Sequence, residues 1–508
     1  MKIIKIISLI IILSKPTSAQ YNYFSNRYDF NQSAQEVGFD ALPVNNGFII
    51  IDGTTNSPGF SGNIKIGIFF IDSIGVKLWQ KFYGRYRANY APGIGGSFIK
   101  VNNGNQYVLG GSYIDSVNHS DVLLIKFNLQ GDTLWSKTYG DTLFQFGQQV
   151  KETRDKGFVI VGQTAGSPVS NSEVLLIKTD SSGNFEWQKH FGGTHFDIGW
   201  AIDTCIDGGF VIAGYTQSYG TNAGSACGNL YCIKTDSMGN RQWDRAFGGQ
   251  FGDGAYSVVQ GRDSSLIFGG YATAFDPSAS TTCDNSIGRP WLVKLDLNGN
   301  TKWSKTYGNS FFDTSIFMVR ELQDGSIVSA GAVGRDTTGG AAQGLVLKVN
   351  SEGDSLWYRR YEILHDAHSN NLLRDIRQTP DGGFIAGGVA YVASPDTGTT
   401  DIWVLRIDSN GCEVSNCLVN SVSKSEMFTN EVFMFPNPSN NLFHFKMESG
   451  SEISFIQITN VLGEIVPVPV TTSQVNAAVD LTQQPCGIYF YSLKTRDNKF
   501  FRGKLVKE

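Results

Sequence analysis

The sequence predicts an all-β protein built from one small repeated unit, and two recurring markers carry this prediction. The first is a Gly-x-x-x-Trp frame that occurs six times at intervals of 52 to 60 residues, with its tryptophans at Trp79, Trp135, Trp187, Trp243, Trp303 and Trp357. The second is a polar turn, Asp-Gly-Gly in its clearest form, which is followed by a short apolar run and occurs seven times. A fixed period of this kind indicates a repeat architecture.

The repeat that contains Trp243 shows how one unit divides into strands. Short apolar runs separated by glycine turns predict strand A over 199–205, strand B over 210–215, strand C over 230–235 and strand D over 241–247. No segment keeps the 3.6-residue apolar period of a helix. Four antiparallel strands per repeat are typical of a propeller blade, so the chain is predicted to form a seven-bladed β-propeller of four-stranded blades over 20–418.

The two ends of this region are predicted to meet. The last repeat has strands A, B and C but lacks the Trp-containing strand D. The segment Phe24 to Val37 aligns with a strand D and the strand A that follows it, as in Trp135 to Gly140 of a complete repeat. We therefore expect the N-terminal segment to supply the missing strand and to close the ring, which leaves no open sheet edge.

The Gly-x-x-x-Trp frame resembles the tryptophan-docking repeat of quinoprotein-like propellers. That resemblance implies that the indole of each strand D packs between adjacent blades. The family's cofactor would require a vicinal Cys-Cys pair, calcium ligands and often a Cys-x-x-Cys-His haem site. Neither cysteine motif is present and no calcium-ligand set is recognisable. The six tryptophans are therefore expected to be structural and no cofactor is expected, with calcium left open.

The ends of the chain carry addressing signals. Lys2 and Lys5, the apolar run 6–13 and Ala19 have the pattern of a secretory signal peptide over 1–19. The apolar run is too short to span a bilayer and no later segment is longer, so no transmembrane segment is expected. With a net charge of -5 the chain is not expected to bind nucleic acid.

Residues 419–431 are predicted to be a linker, and 432–508 a small Ig-like β-sandwich with its own turn motifs. The motif residues are Pro436, Asn437, Pro438, Leu462, Gly463, Gly487, Ile488, Tyr489 and Lys504. Together they resemble the type A sorting domain of the type IX secretion system. The resemblance implies two partners, the secretion machinery and its sortase-like peptidase, and a protein secreted or attached to the outer face of the outer membrane after transit through the periplasm. The alternative is an accessory sandwich that binds a ligand.

Seven cysteines suit an exported chain, where they can pair. Cys412 with Cys417 could staple the end of the array, and Cys227 with Cys283 fall in corresponding loops of consecutive repeats. The alternative for these four is that they are small buried residues. The other three cysteines, Cys205, Cys232 and Cys486, are expected to be unpaired.

The B-to-C and D-to-A loops vary in length and open on one face, which is where binding is usually built on a rigid scaffold. Acids in the D-to-A loops could ring the channel and hold a cation, or could cap local backbone groups: Asp197, Asp253, Asp313 and Asp366. The aromatic residues assigned to these loops could stack on sugars or plug the channel: Phe196, Phe251, Phe311, Phe312, Tyr86 and Tyr90. His365 and His368 lack a third ligand, and the identity of any metal stays unknown.

No catalytic residue is predicted, because no nucleophile elbow, phosphate loop or distinct carboxylate pair is present. The favoured function is a binding or adhesion module for an extracellular glycan or protein. Two alternatives remain open: an extracellular carbohydrate-active hydrolase or lyase with its site in the channel, and a structural surface-layer component. Fold alone does not decide among them.

Overall fold

The structure is a computed structural model of the 508-residue chain. The residues that it describes are 23–28, 36–54, 64–85, 88–93, 95–101, 104–117, 119–165, 172–221, 223–225, 227–249, 251–274, 287–308, 315–334, 341–365, 368–392, 400–413, 432–435, 439–447, 452–460, 466–473, 476–496 and 500–507. The chain divides into two compact units, Met1–Leu418 and Val419–Glu508. Over the described ranges the chain forms strands, turns and loops without a helix, and no membrane-spanning helix is found there.

The first unit consists of antiparallel sheets in which strands adjacent in sequence pair with one another. It begins with β1 (Phe24–Tyr28). The first sheet contains β2 (Glu36–Val44), β3 (Gly47–Thr54), β4 (Lys65–Asp72) and β5 (Lys77–Tyr83). The second contains β6 (Asn89–Pro92), β7 (Phe98–Val101), β8 (Gln106–Ile114), β9 (Ser120–Asn128) and β10 (Thr133–Tyr139). In this second sheet the first strand is split, because β6 and β7 both pair with β8.

The next three sheets have four strands each. The third contains β11 (Phe144–Glu152), β12 (Phe158–Ala165), β13 (Ser172–Thr179) and β14 (Phe185–Phe191). The fourth contains β15 (Asp197–Thr204), β16 (Phe210–Thr216), β17 (Asn229–Thr235) and β18 (Arg241–Phe247). The fifth contains β19 (Gly254–Gln260), β20 (Leu266–Ala274), β21 (Ile287–Leu295) and β22 (Thr301–Thr306). The four strands predicted for the Trp243 repeat are confirmed to within two residues at each end.

The last sheet of the first unit has eight strands. Seven of them are β23 (Ser315–Glu321), β24 (Ile327–Gly334), β25 (Ala342–Val349), β26 (Ser355–Tyr361), β27 (Ser369–Gln378), β28 (Phe384–Val392) and β29 (Asp401–Ile407). The eighth is β1, which pairs antiparallel with β29, with Phe24 opposite Arg406 and Tyr28 opposite Ile402. The prediction that the N-terminal segment supplies the missing strand is confirmed.

The first strands of the sheets form a ring. The strands β2, β7, β11, β15, β19, β23 and β27 contact one another in this order, and β27 contacts β2 again. Apolar side chains fill the space between successive sheets: Val161 and Leu176 of the third sheet pack with Ile212 of the fourth. Sheets arranged around a common axis in this way form a β-propeller.

Each frame tryptophan contacts the turn of the following repeat. A β-carbon placed on Gly239 would lie 2.6 Å from the Trp187 indole, and Gly239 has a φ of +76°, which favours glycine. Trp243 lies against Gly299 in the same way, and its Nε1 donates a hydrogen bond to the carbonyl oxygen of Leu297 at 2.8 Å. The other four tryptophans face the corresponding glycines, namely Trp79 with Gly131, Trp135 with Gly183, Trp303 with Gly353 and Trp357 with Gly411.

The second unit has two antiparallel sheets. One contains β30 (Val432–Phe435), β31 (Leu442–Met447), β33 (Val470–Ser473) and β34 (Asn476–Asp480), and the other contains β32 (Ile453–Thr459), β35 (Gly487–Thr495) and β36 (Phe500–Lys507). Side chains from both sheets, including Phe445, Ile458 and Leu493, share one apolar core. Lys507 closes its end by donating hydrogen bonds to the carbonyl oxygens of Leu481, Thr482 and Gln484.

We expect Trp243→Ala to lower the free energy of unfolding by about 3 to 5 kcal/mol, because the change leaves a cavity beside Gly299 and removes the hydrogen bond to Leu297. Thermal and denaturant unfolding of the purified chain would measure this. Phe185→Ala is the control, since Phe185 is an exposed aromatic residue on β14 and its loss should change stability by less than about 0.5 kcal/mol. Equal stability of the two variants would show that the indole contributes nothing to packing.

Candidate ligand-binding site

The innermost strands share a β-bulge at the same position of the repeat. The pairing register of the first strand with the second shifts in β11, β15, β19, β23 and β27, so that one residue in each is extra. These residues are Gln148, Trp200, Tyr256, Phe317 and Arg374, and each is half-buried. A bulge re-aims a side chain relative to the regular alternation of a strand. The repeated bulge lets the first strands of successive sheets contribute side chains to one shared surface.

Three of the bulge residues are aromatic and contact one another. The Trp200 and Tyr256 rings are stacked with centroids 4.5 Å apart, and the Tyr256 and Phe317 centroids are 5.3 Å apart. The ring centroid of Tyr215, near the end of β16, lies 5.9 Å from that of Trp200, and the ring centroid of Tyr271 in β20 lies 5.6 Å from that of Tyr256. None of the five is fully buried. They form a continuous aromatic wall, defined here as Trp200, Tyr215, Tyr256, Tyr271 and Phe317.

Arg374 extends this wall with a positive charge. Its guanidinium carbon lies 4.2 Å from the centroid of the Phe317 ring, which is cation–π geometry. Its Nε is buried and has no hydrogen-bond partner in the part of the chain that the structure describes. Burial lowers the pKa of Arg374, while the neighbouring Tyr256 and Tyr391 act in the opposite direction.

Two glycines between β6 and β7, Gly95 and Gly96, lie against strands of the last sheet. A β-carbon placed on Gly95 would lie 3.0 Å from the backbone oxygen of Arg374 and 3.3 Å from the Met318 side chain, and both of these belong to the last sheet. The Gly95 carbonyl oxygen accepts a hydrogen bond from Gln149 at 2.9 Å. Positive φ angles of +44° at Gly95 and +70° at Gly96 favour glycine here. The described residues of this segment, 93 and 95–97, are named the crossing segment, which through Gly95 lies beside the Arg374 backbone, next to the aromatic wall.

A buried ionic network joins the two ends of the ring. Asp375 of β27 forms ion pairs with Arg377 at 2.8 Å and Arg320 at 3.0 Å. Burial opposes ionisation of Asp375, but these two arginines outweigh it and hold its pKa below the ordinary value. Asp40 of β2 accepts hydrogen bonds from the Gly96 amide at 2.6 Å and the Ser97 hydroxyl at 2.9 Å. Burial and the neighbouring Asp375 raise the pKa of Asp40 to about 7.

Two of the four acids predicted as cation ligands hold backbone and hydroxyl groups. Asp197 accepts hydrogen bonds from the Gly193 amide at 2.8 Å and the Ser218 hydroxyl at 2.6 Å, and it also accepts one from Thr216. Asp253 accepts bonds from the amides of Gly249 at 2.7 Å and Thr273 at 2.8 Å. Both carboxylates are buried. These contacts favour local capping over cation binding for this pair.

Several predicted site residues lie outside the described residues, and these are Asp313, Asp366, Phe311, Phe312, Tyr86, Cys283, Cys417, Pro436, Asn437, Pro438, Leu462 and Gly463. Cys227 and Cys412 are disulfide-bonded, and Cys205, Cys232 and Cys486 are free as expected. His365 and His368 are exposed. Within the described ranges no three His, Cys, Asp or Glu side chains come together as a metal site.

The remaining predicted residues are placed as follows. Phe196 lies 6.4 Å from Tyr215 and so adjoins the aromatic wall, and Phe251 is half-buried. The assignment of Tyr90 to a D-to-A loop is wrong, because Tyr90 lies in β6 and is buried against Tyr113. Of the sorting motif, Tyr489 is buried and donates a hydrogen bond to the Pro485 carbonyl oxygen, whereas Ile488 and Lys504 are exposed.

The bulge residues escaped the sequence analysis, although a signal for them exists. Trp200 is a tryptophan outside the Gly-x-x-x-Trp frame. The bulge position is occupied by Gln, Trp, Tyr, Phe and Arg in five repeats, while the following strand keeps its apolar pattern. When the residue type at one position varies between repeats while the neighbouring apolar pattern stays the same, the side chain at that position is not part of the apolar core.

Comparisons with known proteins bear on the C-terminal unit and on the fold. Residues 433–508 match the family described as a secretion system C-terminal sorting domain. No curated protein sequence shows a significant match.

Among solved structures, the chain is similar to the β-propeller domain of the Trilobed protease from Pyrococcus furiosus, at 9% identity over 73% of this chain and 93% of that one, with a TM-score of 0.41. The match to an ulvan lyase bound to a sugar ligand covers 63% of this chain and 83% of the lyase chain at 12% identity, with a TM-score of 0.40. The match to YCF48 bound to D1 peptide covers 78% of this chain and 100% of the YCF48 chain at 9% identity, with a TM-score of 0.41. At such low identity none of these proteins assigns an activity to this chain.

The Asp253 carboxyl group makes a testable contribution to pH dependence. Burial raises its pKa to about 6, although the amides of Thr273 and Gly249 act in the opposite direction. Because the folded-state pKa lies above the unfolded value of about 3.9, this group stabilises the fold below about pH 4 and loses that contribution as the pH rises through about 6. We therefore expect the melting temperature of the wild-type chain to fall relative to that of Asp253→Asn as the pH rises from about 4 to about 6. A difference that is constant with pH would contradict the assignment.

Proposed function

We propose that this protein, whose C-terminal segment is a secretion-system sorting domain, is a β-propeller exported by the type IX secretion system to bind an extracellular glycan. The sorting domain over 433–508 identifies the chain as a secreted or cell-surface protein that the secretion machinery handles. In the proposed route, a signal peptide over 1–19 directs the chain to the periplasm. The sorting domain, folded as an Ig-like sandwich after a 419–431 linker, then directs it outward, where a sortase-like peptidase removes the domain.

We also propose that the ring has seven blades. The eight-stranded sheet is joined in its middle by a single parallel residue pair, Ala342 with Asn370. The strands on either side of that pair are antiparallel and follow the order of a complete repeat. Counting β23 to β26 as one blade, β27 to β29 with β1 as another, and the split β6 and β7 as one strand gives every repeat four strands. In this scheme Phe24 occupies the place of a frame tryptophan, which its proximity to Gly75 supports.

The single observation that carries the binding proposal is the aromatic wall on the inner strands. Aromatic rings in a folded core are normally buried, whereas these rings are only partly buried, with Trp200 stacked on Tyr256 and Tyr256 tilted against Phe317. The C–H face of a sugar ring packs on an aromatic face as other apolar groups do, while its hydroxyls reach polar neighbours. A row of partly buried aromatic rings suits a sugar ring or the end of a glycan chain.

The alternative of a hydrolase or lyase requires an acid or base presented to the substrate. The two described carboxyl groups with raised pKa near the inner strands, Asp40 and Asp253, are fully buried and hold local donors. Such groups are poor general acids because a substrate cannot reach them. This favours binding over catalysis. A structural surface-layer role would leave the aromatic wall without a ligand.

Export is tested by removing residues 433–508 in a bacterium that has a type IX secretion system. We expect the truncated chain to fold and to remain within the cell envelope, because the sorting signal is lost while the first unit keeps all its strands. Immunoblots of cell fractions and medium would measure the distribution. As the matched control, residues 433–508 fused to an unrelated periplasmic protein should carry that protein out. Truncated chain in the medium would refute the proposed route.

Binding is tested on a glycan array with the purified chain and its Trp200→Ala variant. Loss of one stacking face should weaken binding of any glycan hit by about tenfold, or about 1.4 kcal/mol, because the apolar face of the sugar loses its contact with the indole. Phe185→Ala removes an exposed aromatic side chain outside the wall and should bind like the wild type. Binding that survives Trp200→Ala unchanged would move the site away from the wall.

A further inference from the structure

We infer that the site selects an acidic sugar, whose carboxylate or sulfate group is bound by Arg374. The inference rests on the proposed glycan-binding function and adds the class of ligand. It depends on the contrast between two arginines of one strand, on the position of Arg374 at the end of the aromatic wall, and on its unsatisfied donor.

Arg374 and Arg377 lie three residues apart on β27 but have different environments. Arg377 has carboxylate neighbours, pairing with Asp375 at 2.8 Å and lying 3.7 Å from Asp40, and it donates a further hydrogen bond to the Phe98 carbonyl oxygen. Arg374 has no ion pair or hydrogen bond from its guanidinium to any residue that the structure describes. The stabilising acids of this region are therefore committed to Arg377 and Arg320, and Arg374 is left with an aromatic partner.

A partly buried guanidinium without an anion is unfavourable, because its charge and its N–H groups have lost water without gaining a partner. An anion bound at Arg374 would neutralise the charge and accept hydrogen bonds from the N–H groups. The guanidinium fork matches the two oxygens of a carboxylate or the oxygens of a sulfate ester, and charge-assisted bonds of this kind are about twice as strong as neutral ones. The chain has a net charge of -5, so attraction of an anion has to come from a local group such as this one.

The surroundings of Arg374 favour a sugar as the carrier of that anion. Phe317, under the guanidinium, continues into Tyr256 and Trp200, so a ring bound at Arg374 has aromatic faces beside it. Gly95 of the crossing segment lies against the Arg374 backbone. An acidic sugar ring satisfies the charge and the apolar wall together, whereas a free inorganic anion would satisfy only the charge.

The test uses calorimetric titration of the full chain with trigalacturonate and with its fully methyl-esterified form, in which each carboxylate is replaced by a neutral ester. A sulfated galactan oligosaccharide and its desulfated form make a second pair, so the two arms distinguish a carboxylate from a sulfate ligand. We expect the wild type to prefer the charged member of at least one pair by about tenfold to a hundredfold, the range for a charge-assisted contact. Arg374→Gln should abolish that preference and Arg374→Lys should keep part of it.

Arg262→Gln is the matched control, because Arg262 is an exposed arginine in the turn between β19 and β20. It should bind like the wild type. If Arg374→Gln does not fold, the wild-type comparison of each charged oligosaccharide with its neutral form still tests the acidic preference, and Arg374→Lys, which should reduce that preference, tests the role of Arg374.

The outcomes separate the two claims. Equal binding of charged and neutral forms, with loss of both in Trp200→Ala, would overturn the acidic specificity and leave the glycan function standing. A wild-type preference that persists in Arg374→Gln would overturn the role of Arg374. Absence of binding to all four oligosaccharides and to the glycan array would overturn both claims and direct the search to a protein partner.

Discussion

Closure of the ring by the N-terminal strand is the constraint on which the first unit depends. β1 pairs with β29 across almost the whole length of the repeat region, and the Trp403 indole donates a hydrogen bond to Ser25 at 2.9 Å. Without β1 the outer edge of β29 would be open, and an open edge invites pairing with other chains. Tyr28 also reaches the first sheet, where its hydroxyl donates to the Gly75 carbonyl oxygen at 2.6 Å. Side chains of β1 thus tie the last sheet, to which β1 belongs, to the first sheet.

The buried ions at the same junction have a second role, because they fill the inside of the ring where apolar packing is interrupted. Asp40 holds the amide and hydroxyl of the crossing segment, and Arg377 bonds to Phe98 just after it. Buried charges are tolerated only when they are paired and hydrogen-bonded, and Asp375 with its two arginines meets that condition. The crossing segment beside Arg374 is therefore attached to the ionic network at the junction of the first and last sheets, so the candidate site and ring closure share their supports.

The sequence predicted the repeated parts of this structure well because turns and apolar runs are local signals. Asp236 illustrates this: its side chain accepts the amides of Met238 and Asn240, and Gly239 supplies the positive φ. The alignment of Phe24 with a frame tryptophan predicted ring closure for the same reason. The bulges were not predictable, since they depend on how one strand pairs with the next. Nor was the split of β6 and β7, which brings Gly95 against the far side of the ring.

The division between scaffold and site follows from the bulge itself. A regular strand would send alternate residues into the two spaces between sheets, where they must be apolar, and no position would be free to vary. The extra residue leaves that alternation and meets the inner surface, so its chemistry is not limited by core packing. Trp200 and Arg374 can therefore occupy equivalent positions in different repeats without disturbing the sheets around them. A ring of such positions lets one rigid scaffold present several kinds of side chain to one ligand. At one of these positions, beside Phe317, the side chain is the Arg374 guanidinium, whose Nε has no hydrogen-bond partner among the described residues.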